Sequence, residues 1–101
     1  KRVFYIYGTQ PSVPRGQDAH YKTKQYLIAV SGSCNVTLDD GEQKITYALN
    51  QQNIGLLQGA LVWGTMHDFS PDCVLLVLAS EHYEDADYIR DYEEFLKTVT
   101  A

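Results

Sequence analysis

Two short segments of this chain carry ionisable side chains beside strand-like patterns. They are residues 15–20 (RGQDAH) and residues 63–69 (WGTMHDF). Side chains two residues apart in an extended segment point the same way, so Asp18 and His20 are expected to share one face. Histidine titrates near neutral pH, and a nearby carboxylate orients it and raises its pKa. The first segment therefore predicts a general acid–base pair.

The second segment offers Trp63 and His67 as further candidates for a ligand site. A tryptophan on a short strand packs into a core more often than it binds a ligand. His67, followed by an aspartate, is open to three interpretations: an oriented imidazole, a metal ligand or a hydrogen-bonded pair. Asp18, His20 and His67 together would supply the carboxylate and two imidazoles of a non-haem iron site. A metal-dependent enzyme is therefore one alternative.

The charge pattern favours a small anionic ligand over a nucleic acid. The net charge of −5 resides in residues 81–101, because residues 1–80 hold equal numbers of acidic and basic side chains. No basic stripe typical of nucleic-acid binders is present. Arg15, Lys22 and Lys24 cluster near the Asp18/His20 pair, and two or three such cations suffice to bind a small anion.

Composition indicates one globular domain with no membrane span. The chain has 101 residues, 45% of them hydrophobic, and no apolar run near the roughly 20 residues that a membrane-spanning helix needs. Cys34 and Cys73 lie in apolar runs, which favours buried free thiols in a cytoplasmic protein over a disulfide framework. A chain this short buries a modest share of its surface, so self-association would help it.

Strand-like runs recur about every ten residues and predict a sandwich or barrel. Residues 8–16, with Pro11 and Pro14, are predicted as a loop. The predicted strands are 3–7, 25–30, 34–38, 44–49, 54–57, 61–65 and 74–79. The β-rich part is expected to span residues 1–83.

The C-terminal tail has a different period. From Asp85 onward, apolar residues fall at spacings of one and three, which is one face of a helix. These residues are Tyr88, Ile89, Tyr92, Phe95, Leu96 and Val99. Residues 84–101 are therefore expected to form a C-terminal helix packed on the barrel, with Asp85 or Asp87 at its N-terminus.

Several motifs along nearly the whole chain resemble one family. They are KRVFYIY (1–7), Arg15-Gly16 with Ala19-His20, GSCNVTLDDG (32–41), MHDFS (66–70), DCV (72–74), LAS (78–80), Tyr83 and DYIR (87–90). Together they resemble the sugar-nucleotide 3,4-ketoisomerases, a cupin family that includes dTDP-4-keto-6-deoxyglucose 3,4-ketoisomerase. The resemblance implies an all-β cupin fold, a double-stranded β-helix (jelly-roll) barrel with a C-terminal helix. It also implies homodimers and an N-terminal hairpin upstream of Lys1.

The resemblance implies a reaction as well. A ketone moves from C4 to C3 of a dTDP-linked 6-deoxyhexose through an enediolate, without metal or redox cofactor, during deoxyamino-sugar synthesis for surface polysaccharide. His20 would be the base, with Asp18 relaying protons. Arg15 would lie near anionic groups. The remaining expected substrate-binding residues are Tyr5, Lys22, Gln25, Trp63 and His67.

The sequence differs from the family pattern at two positions. Asp18 and Gly64 stand where the family carries histidine. These differences keep open a sugar-nucleotide-binding cupin that is non-catalytic or has altered chemistry. The metal-dependent cupin described above is the other alternative.

Overall fold

A computed structural model describes residues 1–100, which form nine β-strands and one α-helix. Ala101, the end of the predicted helical segment, lies outside the described residues. The strands are β1 (Arg2–Ile6), β2 (Arg15–His20), β3 (Gln25–Ser31), β4 (Cys34–Asp39), β5 (Lys44–Leu49), β6 (Gly55–Gln58), β7 (Trp63–His67), β8 (Val74–Ala79) and β9 (Tyr88–Ile89). The helix is α1 (Tyr92–Thr100), and a short 3-10 helix covers Asp85–Asp87.

The strands form two antiparallel sheets that face each other. One has the order β1-β8-β3-β6, and the other has the order β5-β4-β7-β2-β9. Alternate side chains of both sheets fill the space between them, as period-2 burial requires. The buried core includes Leu27, Ala29, Val36, Phe69, Leu75 and Val77. The predicted all-β cupin fold with a C-terminal helix is confirmed.

Each of the seven predicted strands is present, and no end is shifted by more than two residues. Two strands, β2 and β9, were not predicted. Residues 15–17 are exposed, and a strand exposed on both faces has no hydrophobic alternation to reveal it. The two cysteines are buried free thiols, as their apolar surroundings predicted.

A β-bulge in β2 decides which of its side chains face inward. Arg15 pairs with Met66 and Gly16 with Thr65, but the next pair is Asp18 with Gly64. Gln17 is thus the extra residue, and its φ of 58° follows a φ of 81° at Gly16. A bulge of this kind adds one residue to the strand and changes its parity. Arg15 and Asp18, three residues apart, therefore lie on the same face.

The predicted helix from Asp85 begins only at Tyr92. The preceding residues bind to the barrel instead: Tyr88 pairs with His20, and Ile89 pairs with Ala19. The buried Asp87 carboxylate accepts hydrogen bonds from the backbone N–H groups of Lys22 and Thr23 at 2.9 and 3.1 Å. These tertiary contacts outweigh the helical spacing of the apolar residues, which predicted continuous helix.

Helix α1 starts after Asp91, whose carboxylate accepts a hydrogen bond from the Glu93 N–H at 3.2 Å. Phe95 is fully buried with Ala19 and Ile89, so the helix covers the outer face of β2 and β9. Within residues 1–100, no helix has the length and apolar character needed to cross a membrane.

Candidate functional site

A cavity of about 460 Å³ opens between the two sheets. Side chains of β1, β2, β3, β7 and β8 line it, together with the segment around Tyr83 and Tyr88. Its floor is apolar and includes Phe4, Met66 and Val77. The polar groups on its wall are Arg2, Tyr5, Arg15, Asp18, Gln25, Tyr83 and Tyr88. A concave, mostly apolar site with a few converging polar groups is typical of a small-molecule site.

Asp18 is the carboxylate of this cavity. Burial raises its pKa to about 6, and the positive charge of Arg90 limits the rise. A carboxyl group with such a pKa is mostly ionised at neutral pH but accepts and returns a proton easily. Asp18 is therefore suited to general acid–base chemistry on a ligand in the cavity.

His20 lies behind the cavity wall. It is 3% exposed and contacts a small crevice shared with Arg2, Thr23 and Tyr88. Its Nε2 atom is buried without a hydrogen-bond partner. Burial lowers the pKa of His20, Asp87 opposes this effect, and Arg2 and Arg90 add to it. The expectation of a raised pKa is therefore wrong, because burial outweighs the charge of Asp87, the carboxylate that raises the pKa of His20.

Arg2 is a functional candidate that sequence reasoning missed. Its guanidinium donates a hydrogen bond to the Tyr88 hydroxyl at 3.1 Å and lies 4.5 Å from the centroid of the Phe4 ring. It lines both the cavity and the crevice that holds His20. The alternation of Arg2, Phe4 and Ile6 on one face of β1 was the available signal. With Arg15 on the opposite wall, Arg2 gives the cavity two cations.

Tyr5 and Gln25 lie in the cavity wall, where the resemblance implied them. Gln25 is buried on β3, whereas Tyr5 is 56% exposed at the cavity mouth. Lys22 lies outside the cavity, in the turn after β2. It forms an exposed ion pair with Glu84 at 3.3 Å. The expectation that Lys22 faces the ligand site is therefore wrong.

Trp63 and His67 also point away from the cavity. Gly64 and Met66 are the buried, inward residues of β7, so the residues between and beside them face outward. Trp63 packs beneath α1, with ring centroids 5.3 Å from Tyr92 and 5.7 Å from Phe95. Sequence reasoning placed both in the cavity because the β7 pattern has large side chains on each face.

His67 belongs to a hydrogen-bonded row on the outer face of the five-stranded sheet. Its Nε2 atom lies 2.8 Å from the Thr37 hydroxyl, and its Nδ1 atom lies 2.8 Å from the Asp68 carboxylate. His67 therefore does not converge with Asp18 and His20. Within residues 1–100, no group of three histidine, cysteine or acidic residues is arranged to hold a metal ion. The iron-type ligand set that the sequence left open as an alternative is thus not assembled.

Gly64 pairs with Asp18, and the space that a side chain at position 64 would occupy is filled by another residue. A Cβ atom on Gly64 would lie 2.6 to 2.8 Å from the amide group of Gln58. Gln58 is buried and donates a hydrogen bond to the Val62 carbonyl at 2.9 Å. The Gln58 amide therefore fills the volume that a larger side chain at position 64 would need.

Comparison with known proteins places this geometry in a family. The family model described as "FdtA: WxcM-like, C-terminal" matches residues 1–100. A TDP-4-oxo-6-deoxy-alpha-D-glucose-3,4-oxoisomerase from Aneurinibacillus thermoaerophilus is 50% identical over an alignment 101 residues long. The alignment covers 98% of this chain and 71% of that protein.

Solved structures agree in fold and sequence. A 3,4-ketoisomerase from Helicobacter canadensis is 48% identical with a TM-score of 0.97, over 100% of this chain and 76% of that one. The 3,4-ketoisomerase QdtA from Thermoanaerobacterium thermosaccharolyticum, a histidine-to-asparagine variant in complex with TDP-4-keto-6-deoxyglucose, is 41% identical with a TM-score of 0.96, over 99% and 72% of the two chains. The chain therefore belongs to the FdtA (WxcM-like, C-terminal) family, that of the dTDP-4-keto-6-deoxyglucose 3,4-ketoisomerases.

Proposed function

We propose that this protein is a 3,4-ketoisomerase acting on a TDP-linked 4-keto-6-deoxyhexose. The observation that carries the proposal is a carboxylate with a pKa of about 6 in a cavity that also holds two arginines. The 50% identity to a TDP-4-oxo-6-deoxyglucose 3,4-oxoisomerase supports the same substrate class. A diphosphate and a sugar ketone are ligands that such a cavity can bind, since guanidinium groups pair well with phosphate oxygens.

Asp18, rather than His20, is the group that we assign as the base. Asp18 lines the cavity, whereas His20 is 3% exposed behind it. The carboxylate removes the proton from C3 and becomes neutral, so it does not repel the negative charge that develops on the enediolate. The same carboxyl group then returns the proton to C4. A positioned acid or base of this kind contributes roughly 10²–10⁴ in rate.

Arg2 and Arg15 supply the positive charge that the reaction requires. They stand on different walls of the cavity, on β1 and β2. We assign one to the diphosphate and the other to the enediolate oxygens, because donors placed where charge develops lower the barrier most. The proposal needs only side-chain acid–base chemistry and includes no metal or redox cofactor. We further propose that the protein works in the cytoplasm, as a homodimer, in deoxyamino-sugar synthesis for surface polysaccharide.

The test is proton NMR of TDP-4-keto-6-deoxyglucose in deuterated buffer. The wild-type protein is expected to remove the C3 proton signal and to form a 3-keto sugar that an aminotransferase traps. Deuterium enters the sugar when the proton on Asp18 exchanges with solvent before it is returned. Asp18→Asn should lower the exchange rate at least about 100-fold. The matched control is Asp68→Asn, which removes a carboxylate from the outer face of the sheet and should leave the rate unchanged.

Two results would contradict the proposal. Saturable binding of TDP by the wild type without exchange would move the protein to the class of non-catalytic sugar-nucleotide-binding cupins. Full exchange by Asp18→Asn, combined with its loss in His20→Asn, would return the role of base to the histidine.

A further inference from the structure

The Tyr88 side chain lies on the inner face of the five-stranded sheet. Tyr88 pairs directly with His20 across β9 and β2, and the two ring centroids are 4.3 Å apart. Residues opposite each other in antiparallel strands share a face. Tyr88 therefore lines the main cavity as well as the crevice behind it. The base assigned to Asp18 and the charge stabilisation assigned to Arg2 and Arg15 do not use the Tyr88 hydroxyl group.

Two arginines fix the position of this phenol. Arg2 donates a hydrogen bond to the hydroxyl oxygen at 3.1 Å. The Arg90 guanidinium carbon lies 4.2 Å from the ring centroid, in a cation–π contact. Arg90 is itself held by Asp85 at 2.7 Å. Arg90 thus holds the ring and Arg2 holds the hydroxyl oxygen, which gives that oxygen a defined place at the cavity wall.

The hydrogen bond from Arg2 leaves the proton of the phenol available. A hydroxyl group has one donor and two acceptor positions, and an arginine can only donate. Within residues 1–100, the Tyr88 O–H meets no acceptor, so it can be donated to a ligand oxygen. A phenolate formed after donation would be stabilised by the guanidinium hydrogen bond.

Other tyrosines of the cavity lack this arrangement. The Tyr83 hydroxyl donates to the Asp85 carboxylate at 3.1 Å and is therefore occupied. Tyr5 is 56% exposed, where water competes for its hydroxyl. Tyr88 is also a diagonal neighbour of Asp18, since its partner His20 is two residues away on β2. Diagonal neighbours are typically about 7–8 Å apart, room for two sugar carbons between them.

We propose that Tyr88 is the catalytic acid of the ketoisomerisation, with Arg2 as its positioning residue, an inference that rests on the proposed function. Asp18 takes the C3 proton, the C3=C4 double bond forms, and the electrons of the C4 carbonyl move to O4, which takes the proton of Tyr88. The Tyr88 phenolate then takes the proton from O3. The C3 carbonyl forms, and C4 takes the proton held by Asp18. Both side chains return to their starting states, and the substrate is isomerised without an external reactant.

The experiment compares Tyr88→Phe with the wild type in the NMR exchange assay and in steady-state kinetics. Phenylalanine keeps the ring packed against His20 and Arg90 and removes only the hydroxyl group. We expect kcat to fall at least about 100-fold, with the affinity for TDP unchanged by calorimetry. The matched control is Tyr47→Phe, the same change on the exposed edge strand β5 outside the cavity, where kcat should not change.

Each outcome decides between the roles. Wild-type kcat in Tyr88→Phe overturns the inference and leaves the proposed function intact. A rise in KM with an unchanged kcat also overturns it, since that result describes a binding residue. An inactive wild type overturns the proposed function itself. The pH dependence of kcat separates loss of the acid from displacement of the ring. A lower kcat whose pH profile keeps the acidic limb set by Asp18 supports the inference, because a merely displaced ring would also disturb that limb.

Discussion

Burial raises the pKa of Asp18 to about 6 from a usual value of 3.8, which has a consequence for stability as well as for chemistry. Between these two values the folded protein holds a proton on Asp18 that the unfolded chain has lost. Folding stability from this group therefore falls as pH rises through that window, and it is constant above about pH 6.

Asp18→Asn is accordingly expected to be more stable than the wild type at pH 7. The gain is on the order of 2 kcal/mol after allowance for partial solvent exposure, and it should vanish below about pH 4. Urea unfolding at several pH values measures it, with Asp68→Asn as the control for loss of a surface carboxylate. An equal difference at pH 4 and pH 7 would contradict the ionisation argument.

The spacing of Asp18 and His20 predicted correctly that both lie on one face of a strand. It could not predict their different depths. His20 is covered by Tyr88, which belongs to a segment whose apolar spacing predicted helix. Trp63 and His67 show the opposite difficulty: the parity of β7 is clear, but its pattern does not reveal which face is inside.

At the scale of elements, β9 depends on one buried carboxylate. Asp87 is 6% exposed and accepts hydrogen bonds from two backbone N–H groups and from the Thr23 hydroxyl. Burial alone would raise the pKa of Asp87, but these hydrogen bonds and the nearby His20 lower it overall. The carboxylate thus ties the 3-10 helix to the turn after β2 and holds Tyr88 against His20.

Asp87→Asn should destabilise the protein by about 2–3 kcal/mol, because an amide cannot satisfy the same set of donors. Thermal unfolding measures the loss, and the amide proton signals of Lys22 and Thr23 report whether the turn opens. Asp85→Asn is the matched control, since Asp85 is exposed two residues away and should cost less than about 1 kcal/mol. Equal losses in the two variants would show that burial of Asp87 is unimportant.

The strands themselves were largely predictable, because hydrophobic alternation depends only on local sequence. The predicted strands 34–38 and 44–49 are both present, and they pair with each other as a hairpin whose turn is residues 40–43. The chain between Asp85 and Asp91 was not predictable in this way. Its conformation is decided by hydrogen bonds to Lys22 and Thr23, more than 60 residues earlier, which no local pattern encodes.

At the scale of the whole molecule, the outer face of the four-stranded sheet is unusually apolar. Val3, Tyr26, Leu57 and Leu78 are 63%, 40%, 58% and 39% exposed, and in strand register they form one row across β1, β8, β3 and β6. Contiguous exposed apolar surface commonly marks an interface. The row therefore supports the homodimer included in the proposed function.

Light scattering of the wild-type protein is expected to give twice the mass of one chain. Leu78→Lys, in the middle of the row, should shift the protein toward monomer, because a buried ammonium group at the interface has no partner. Ile45→Lys introduces the same charge at an exposed apolar position of β5 and should leave the mass unchanged. A monomeric wild type, or a dimeric Leu78→Lys variant, would rule out this interface.

Because of the bulge at Gln17, the number of residues in β2 decides which of its side chains face the cavity. Arg15 and Asp18 reach the same cavity only because one extra residue stands between their ladder pairs. Removing that residue would restore regular alternation and turn Arg15 to the opposite face while every side chain kept its identity. Insertions and deletions in this strand are therefore a route by which relatives could exchange one set of ligand-facing groups for another in a single genetic step, without any substitution.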